Sequence, residues 1–287
     1  MDKQFHWPHG KRLAVSILAM FEVWSEGNSP QYSVQTTGLR AGTTDHSNIR
    51  WSQYGGEVGV YRILKTLGDF GLRGTFCTSA RCIELFPAAV SKIVHYGHEI
   101  GAHGYTQDGL LAYLTPQEQK KLIRDNVSAF ETHTGRRPRG WISPVLAWTP
   151  ETFDLVAAEG LEWYGDLNNF DLPRILKVPS GELVGIPVTE FSDLRVLRSS
   201  PRDFFDFYKD VFDYLYVNEP VSNITFVTHC HWGGRPALVS VLRQVLEYMS
   251  RFPDVWFTTH TEIAEWVRKL GHGGGPYLDR HPVKPVA

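Results

Sequence analysis

An α/β barrel, a single domain of parallel strands covered by helices, is the fold class this chain predicts. Three observations lead there. From Arg12 onward, short apolar stretches alternate with amphipathic ones of helical period, the pattern of strands buried beneath helices. Four helical runs are followed directly by glycine, in GDFG, YGHE, HTGRRP and AAEG, as helix ends require. The chain has 287 residues, and barrels of this class use about 250 as one domain.

Residues 13–22 form the first apolar run and the first expected strand. Residues 74–79, 98–103, 139–143, 161–166, 224–231 and 255–259 follow, giving seven strands. Between them lie helical patterns at 57–71, 88–97, 116–134, 150–160, 237–251 and 261–270. Two stretches break the rhythm. Residues 27–56, rich in Ser, Thr, Gly and Gln, follow strand one on the rim where such barrels keep their active sites. They read as a lid or subunit-contact arm, or else as a surface excursion without a role. Residues 172–220 mix short strand signals with a helix in RDFFDFYKDVFDYL. The Gly- and Pro-rich tail, 271–287, is expected to be flexible.

Composition narrows the function. With 42% apolar, 13% aromatic and 21% charged residues the chain is globular rather than disordered. Its 29 basic and 31 acidic side chains are interspersed, so neither nucleic acid nor an anionic membrane is an expected partner. A small-molecule substrate is expected instead. The charged amino terminus and the short run RLAVSILAMF give neither a secretion signal nor a membrane span, and the expected location is cytoplasmic. Cys77, Cys82 and Cys230 show no CxxC spacing, which points to reduced thiols.

Side chains at the carboxyl ends of parallel barrel strands converge on one mouth. Strand one ends in MFEVWSEG, strand three in GAHGYTQD, strand five in WYGDLNN and strand six in THCHWGGRP. Glu22, where the first strand meets polarity, is the candidate general base, with a pKa raised by burial, or else an ion-paired strand end. Trp24 and Glu26 share its facing if the extended chain continues, although Gly27 suggests a turn. His229 and His231 lie on one face with the Cys230 thiol pointing away, so His229 is a candidate acid or base and Cys230 is not a nucleophile. The alternative for either imidazole is a satisfied histidine in the barrel wall. His103 is a rim imidazole. Arg235 could orient a carboxylate or oxyanion or simply open a helix, and Asp166, Asn168 and Asn169 are substrate contacts or turn formers. Trp24, Trp51, Trp141 and Trp148 could line a pocket for a flat ring or belong to the core.

Taken together, MFEVWSEG, RGTFCTSA, GHEIGAHGYTQD, RGWISPVLAWTPET, LEWYGD and HCHWGGRP resemble the polysaccharide deacetylase superfamily, carbohydrate esterase family four, over roughly residues 12–270. HCHWGGRP and WSQYGGEVGVYRILKTL are similar to the branch holding cyclic imidase, metal-independent allantoinase and a bacterial peptidoglycan deacetylase. The resemblance implies a distorted seven-stranded (β/α) barrel of the NodB-homology type that hydrolyses C–N bonds, as a homo-oligomer, tetramer or dimer. Metal-dependent members use an Asp-x-Asp pair and HxxxH. Here Glu22 takes the base position, Trp24 replaces the ligand Asp, Gln107 replaces the second His, and Ile142 replaces an arginine. Indole offers a cation no lone pair and a neutral amide is a poor zinc ligand, so no metal cofactor is expected. The expected catalytic set is Glu22, His103 and His229, with Trp24, Glu26, Gln107, Trp141, Asp166, His231 and Arg235 binding substrate. The leading reading is a metal-independent hydrolase of a small cyclic amide, imide or ureide. A glycan or peptidoglycan N-deacetylase with a displaced zinc is the alternative, and a non-catalytic binding barrel a second one.

Overall fold

The computed structural model describes residues 5–35, 38–40 and 42–283. Residues 1–4, residues 36, 37 and 41 of the lid stretch, and residues 284–287 of the tail lie outside the described residues.

At the centre is β1 (Leu13–Phe21), buried along its whole length. Its odd-numbered residues from Leu13 to Phe21 join the core beneath the helices, while Ala14, Leu18 and Met20 point into the barrel. On one edge it pairs with β8 (Ser222–His229); the other edge is shared by β2 (Thr75–Thr78) and β9 (Val255–Thr258). The sheet continues through β3 (Glu99–Ala102), β4 (Gly140–Trp141), β5 (Trp163–Tyr164) and β7 (Gly181–Gly185), all parallel, to β6 (Arg174–Val178), which pairs antiparallel with β7. All seven expected strands are present, six of them shortened and the one expected at 224–231 shifted to 222–229. The hairpin β6–β7 is additional and falls in the 172–220 stretch. Between β7 and β8 an irregular segment completes the wall: Ser192 bridges Val227, and Thr225 Oγ1 donates to the Pro187 carbonyl at 3.0 Å. The barrel is therefore distorted, with a loop where a strand would close it.

The helices are α1 (His46–Tyr54), α2 (Val60–Asp69), α3 (Cys82–Leu85), α4 (Pro87–His95), α5 (Pro116–Thr134), α6 (Pro150–Ala158), α7 (Pro201–Asn218), α8 (Pro236–Met249), α9 (His260–Leu270) and α10 (Tyr277–Arg280). Their boundaries follow from sequence chemistry. Thr115 and Glu118 form a capping box before Pro116, and Gly135, at φ 70°, takes the left-handed conformation that ends α5. Thr259 and Glu262 repeat the box at α9. The lid stretch contains α1, which the sequence pattern did not reveal; it runs through a π-helical turn at Gly55–Gly59 into α2. Among the described residues no helix is long and apolar enough to cross a membrane.

Candidate active site

Parity places the first functional group. Leu18 and Met20 face the barrel interior, so Glu22, one residue past β1, faces inward at the mouth; it is 2% exposed. Three imidazoles surround its carboxylate. Oε1 lies 3.3 Å from His103 Nε2 and 3.7 Å from His229 Nε2, and Oε2 lies 3.9 Å from His231 Nδ1. The expectation of a raised pKa is corrected here. Burial does push Glu22 up, but the charge of His229 and the hydrogen bond and charge of His103 prevail, holding it at about 2. The sequence put these histidines on the same rim without showing that all three meet one carboxylate.

His229 is fixed by a residue that the sequence reading missed. Its Nδ1–H donates to Asp193 Oδ1 at 2.6 Å, while Asp193 Oδ2 accepts from the His229 backbone N–H at 2.8 Å and from Thr228 Oγ1 at 3.2 Å. Burial pushes the imidazole down, yet Asp193 and Glu22 raise it to about 9, so it holds a proton at neutral pH with Nε2–H directed towards Glu22. His231, fully buried, is pushed down to about 4 by desolvation and is neutral. Asp193 opens a single 3-10 turn, Asp193–Val196, between β7 and α7, where no periodicity marks a side chain; FSDLR offered only an acid between Ser192 and Leu194.

His103 is oriented from behind. Its Nδ1–H donates to the Ile142 carbonyl at 2.7 Å, and its Nε2 lies 2.8 Å from Gln107 Oε1. The backbone of Ile142 thus steadies a site imidazole at the position where the resemblance expects an arginine.

Aromatic groups wall the far side. Tyr32, from the lid stretch, places its hydroxyl 3.2 Å from His231 Nε2, and the rings of Trp24 and Trp51 meet the His231 ring at centroid distances of 5.4 and 5.2 Å. Tyr32 is the second residue missed, lying in a stretch without periodic pattern. The π-helical turn seats α1 and α2 on the 230–234 turn through glycine contacts: a Cβ on Gly59 would come 1.9 Å from the Cys230 carbonyl oxygen. Arg235 binds the carbonyls of His231 and Trp51 and stacks on the Trp51 and Tyr54 rings, so it clamps this wall together.

Of the other expected contacts, Asp166 alone stays at the mouth. Glu26 is exposed beyond the cluster, because the chain turns at Gly27, φ 78°. Trp141 does not line a pocket: it is fully buried with Leu111, Ile123 and Val127, and neighbouring Ile142 takes the inward position. Trp148 packs on Phe153. Asp166 is buried at the mouth, accepts from the Ser143 N–H at 2.7 Å and feels the His103 charge, and its pKa is raised by burial. Asn168 lines a cavity of about 530 Å³ with Asn223 and Tyr214, and Asn169 a second of about 760 Å³ beside His272 and Tyr277; none of the Glu22 cluster borders either. Cys230 packs in the outer core, facing away as expected.

A zinc ion is the group that the resemblance brings into question, and the donor set does not suit one. Trp24 and Gln107 stand where the resemblance expects an Asp and a His ligand, Nε2 of His103 is engaged by Gln107, and among the described residues no three His, Cys, Asp or Glu side chains are disposed to hold a metal ion.

Residues 54–164 match the family described as polysaccharide deacetylase. A peptidoglycan deacetylase of Helicobacter pylori is 24% identical over 264 aligned residues, covering 79% of this chain and 90% of that protein. The crystal structure of the allantoinase Puue superposes with a TM-score of 0.81 at 28% identity, covering 97% of this chain and 94% of that one. A Mycobacterium smegmatis protein assigned as a polysaccharide deacetylase shares the fold, with a TM-score of 0.79 at 24% identity over 99% and 98% of the two chains.

Proposed function

We propose that this chain, which carries the polysaccharide deacetylase pattern over residues 54–164, hydrolyses a C–N bond in a small cyclic amide, imide or ureide without a metal ion. The observation behind this reading is the charge arrangement at the mouth: an ionised Glu22 beside a protonated His229 backed by Asp193. That is a base and an acid held within 3.7 Å of one another. Water attacking the carbonyl gives its proton to Glu22; as the C–N bond breaks, His229 Nε2 gives its proton to the leaving nitrogen. The two transfers support each other. The His229 charge is the main influence holding Glu22 acidic, so releasing the His229 proton makes Glu22 a stronger base.

Closure of the site limits the substrate to a small one. Glu22, His103 and His231 are each at most 2% exposed, and Tyr32, Trp24 and Trp51 form an aromatic wall around His231. A flat ring suits such an aromatic wall, and a cyclic imide carbonyl is an easier electrophile for a site lacking a Lewis acid. Activity towards a peptidoglycan acetamide is the second reading, favoured by the relative in Helicobacter pylori whose length is 90% covered. Ring opening of succinimide-, hydantoin- and allantoin-like compounds, assayed beside acetate release from chitin oligomers and peptidoglycan, separates the two. Acetate release with no ring opening overturns the first reading.

A further inference from the structure

A carbonyl under attack needs a hydrogen-bond donor where its oxygen turns negative, and on the reading above the chain itself must supply it. Two of the three imidazoles around Glu22 are committed, and the third, His231, turns an unpartnered Nδ1 to within 3.9 Å of Glu22 Oε2, on the side of its other oxygen. His103 gives Nδ1–H to Ile142 and its Nε2 meets Gln107 and Glu22; His229 gives Nδ1–H to Asp193 and keeps Nε2–H for the leaving nitrogen. The backbone N–H groups of the turn after β2 are engaged as well: Ser79 to Phe21, Ala80 to Gly104, Arg81 to Tyr105 and Cys82 to Ser79, all at 2.9–3.1 Å.

One donor in that row is free. Phe21 pairs with Thr78, and Thr78 with Ala102. The ladder runs one residue further, through Ser79 N–H to the Phe21 carbonyl at 3.0 Å and His103 N–H to the Thr78 carbonyl at 3.1 Å. Glu22, Ser79 and His103 therefore follow β1, β2 and β3 at one level of the mouth. Phe76 belongs to the outer core and Cys77 to the inner one, so period-two alternation turns Ser79 inward with Glu22. Ser79 is 0% exposed, and its Oγ has no hydrogen-bond partner. A buried hydroxyl left unpaired is unfavourable, and such an orphan in a native fold calls for a role.

We propose that Ser79 is a further catalytic residue, whose Oγ–H donates to the carbonyl oxygen of the bound amide and holds the oxyanion between Glu22 and His103. This rests on C–N hydrolysis at the Glu22 cluster, but on neither substrate class in particular. As the water oxygen bonds to the carbonyl carbon, the π electron pair moves onto the oxygen facing Ser79, and the hydrogen bond strengthens without proton transfer. When the C–N bond breaks, that pair re-forms the carbonyl and the nitrogen takes the proton of His229.

The test is Ser79→Ala, with steady-state kinetics on whichever amide the wild type hydrolyses and thermal melting alongside. The expected result is a loss of about 10²–10³-fold in kcat, KM within about threefold, and no fall in Tm, since no protein hydrogen bond is removed. A hydroxyl with only a structural role would instead lower Tm and leave kcat alone. An Ala variant within about threefold of wild-type kcat overturns the proposal. Should that variant melt early, Ser79→Cys, similar in shape but a weak donor, decides: folded and slow supports the assignment, folded and fast removes it. Acetate release in place of ring opening by the wild type defeats the cyclic-substrate reading and leaves this test to be run on the acetamide. A wild type that hydrolyses no amide defeats both.

Discussion

Replacing Asp193 by Asn should move the alkaline limb of the pH–rate profile, because Asp193 is the main support of the His229 charge. In the wild type His229 is raised from 6.5 to about 9 against the opposing pull of burial. That displacement corresponds to about 3 kcal/mol in favour of the charged imidazole. Asn keeps the shape but removes the negative charge. It also cannot repeat the hydrogen bonds: Oδ1 and Oδ2 accept from Nδ1–H and from the backbone N–H, and an amide must turn its NH₂ towards one of them. Burial then outweighs Glu22 alone, and the alkaline limb of kcat/KM is expected to fall from about 9 by at least about one pH unit. The profile should narrow on its alkaline side, with the larger loss at pH 8.5 and the smaller at pH 6. Stability has the same sign. A raised folded-state pKa stabilises fully below the unfolded value of 6.5 and is lost as pH rises through about 9, so wild-type Tm should decline across that interval and the Asn variant should decline less. A uniform loss of rate with the limb still near 9 would refute His229 as the titrating acid.

Glu22→Gln keeps the volume but cannot accept a proton, and turnover measured in the same assay should fall at least about 10²-fold. Because Glu22 is lowered to about 2, its contribution to stability is present above its ordinary 4.5 and lost as pH falls through about 2; acid melts of the wild type should show this loss and those of Glu22→Gln should not. Gly59→Ala should destabilise by about 2–3 kcal/mol in urea melts, since its Cβ would meet the Cys230 carbonyl at 1.9 Å. Gly68→Ala, with nothing within 4 Å of the new Cβ, is the control and should be neutral or stabilising by up to about 1 kcal/mol.

Strands and site histidines were legible in the sequence for the same reason: an apolar run marks a buried strand, and the first polar residue beyond it lands at the mouth. Glu22 and His103 follow that rule, His229 ends β8 and His231 lies two residues on with the same facing, and the three imidazoles meet within 3.9 Å of the Glu22 carboxylate. Asp193 and Tyr32 obey no period, since one sits in the irregular closure of the barrel and the other in the 27–56 stretch, and only folding brings them in. Trp141 was open to correction by alternation. A Cβ on Gly140 would strike the Trp163 ring of the inner core, so Gly140 and Ile142 face inward and Trp141 faces the helices. The direction of the Glu22 pKa needed distances, because burial and three imidazoles act in opposite senses.

Metal-free chemistry on a cyclic amide is most directly tested by one measurement: the rate of ring opening of a cyclic imide by enzyme dialysed against a chelator and assayed for residual zinc. The expected result is an unchanged kcat at well under one metal per chain, with no stimulation by added zinc. Loss of ring opening on dialysis and its return with about one equivalent of zinc would contradict it, and would require a metal held by residues that here hold protons and hydrogen bonds instead.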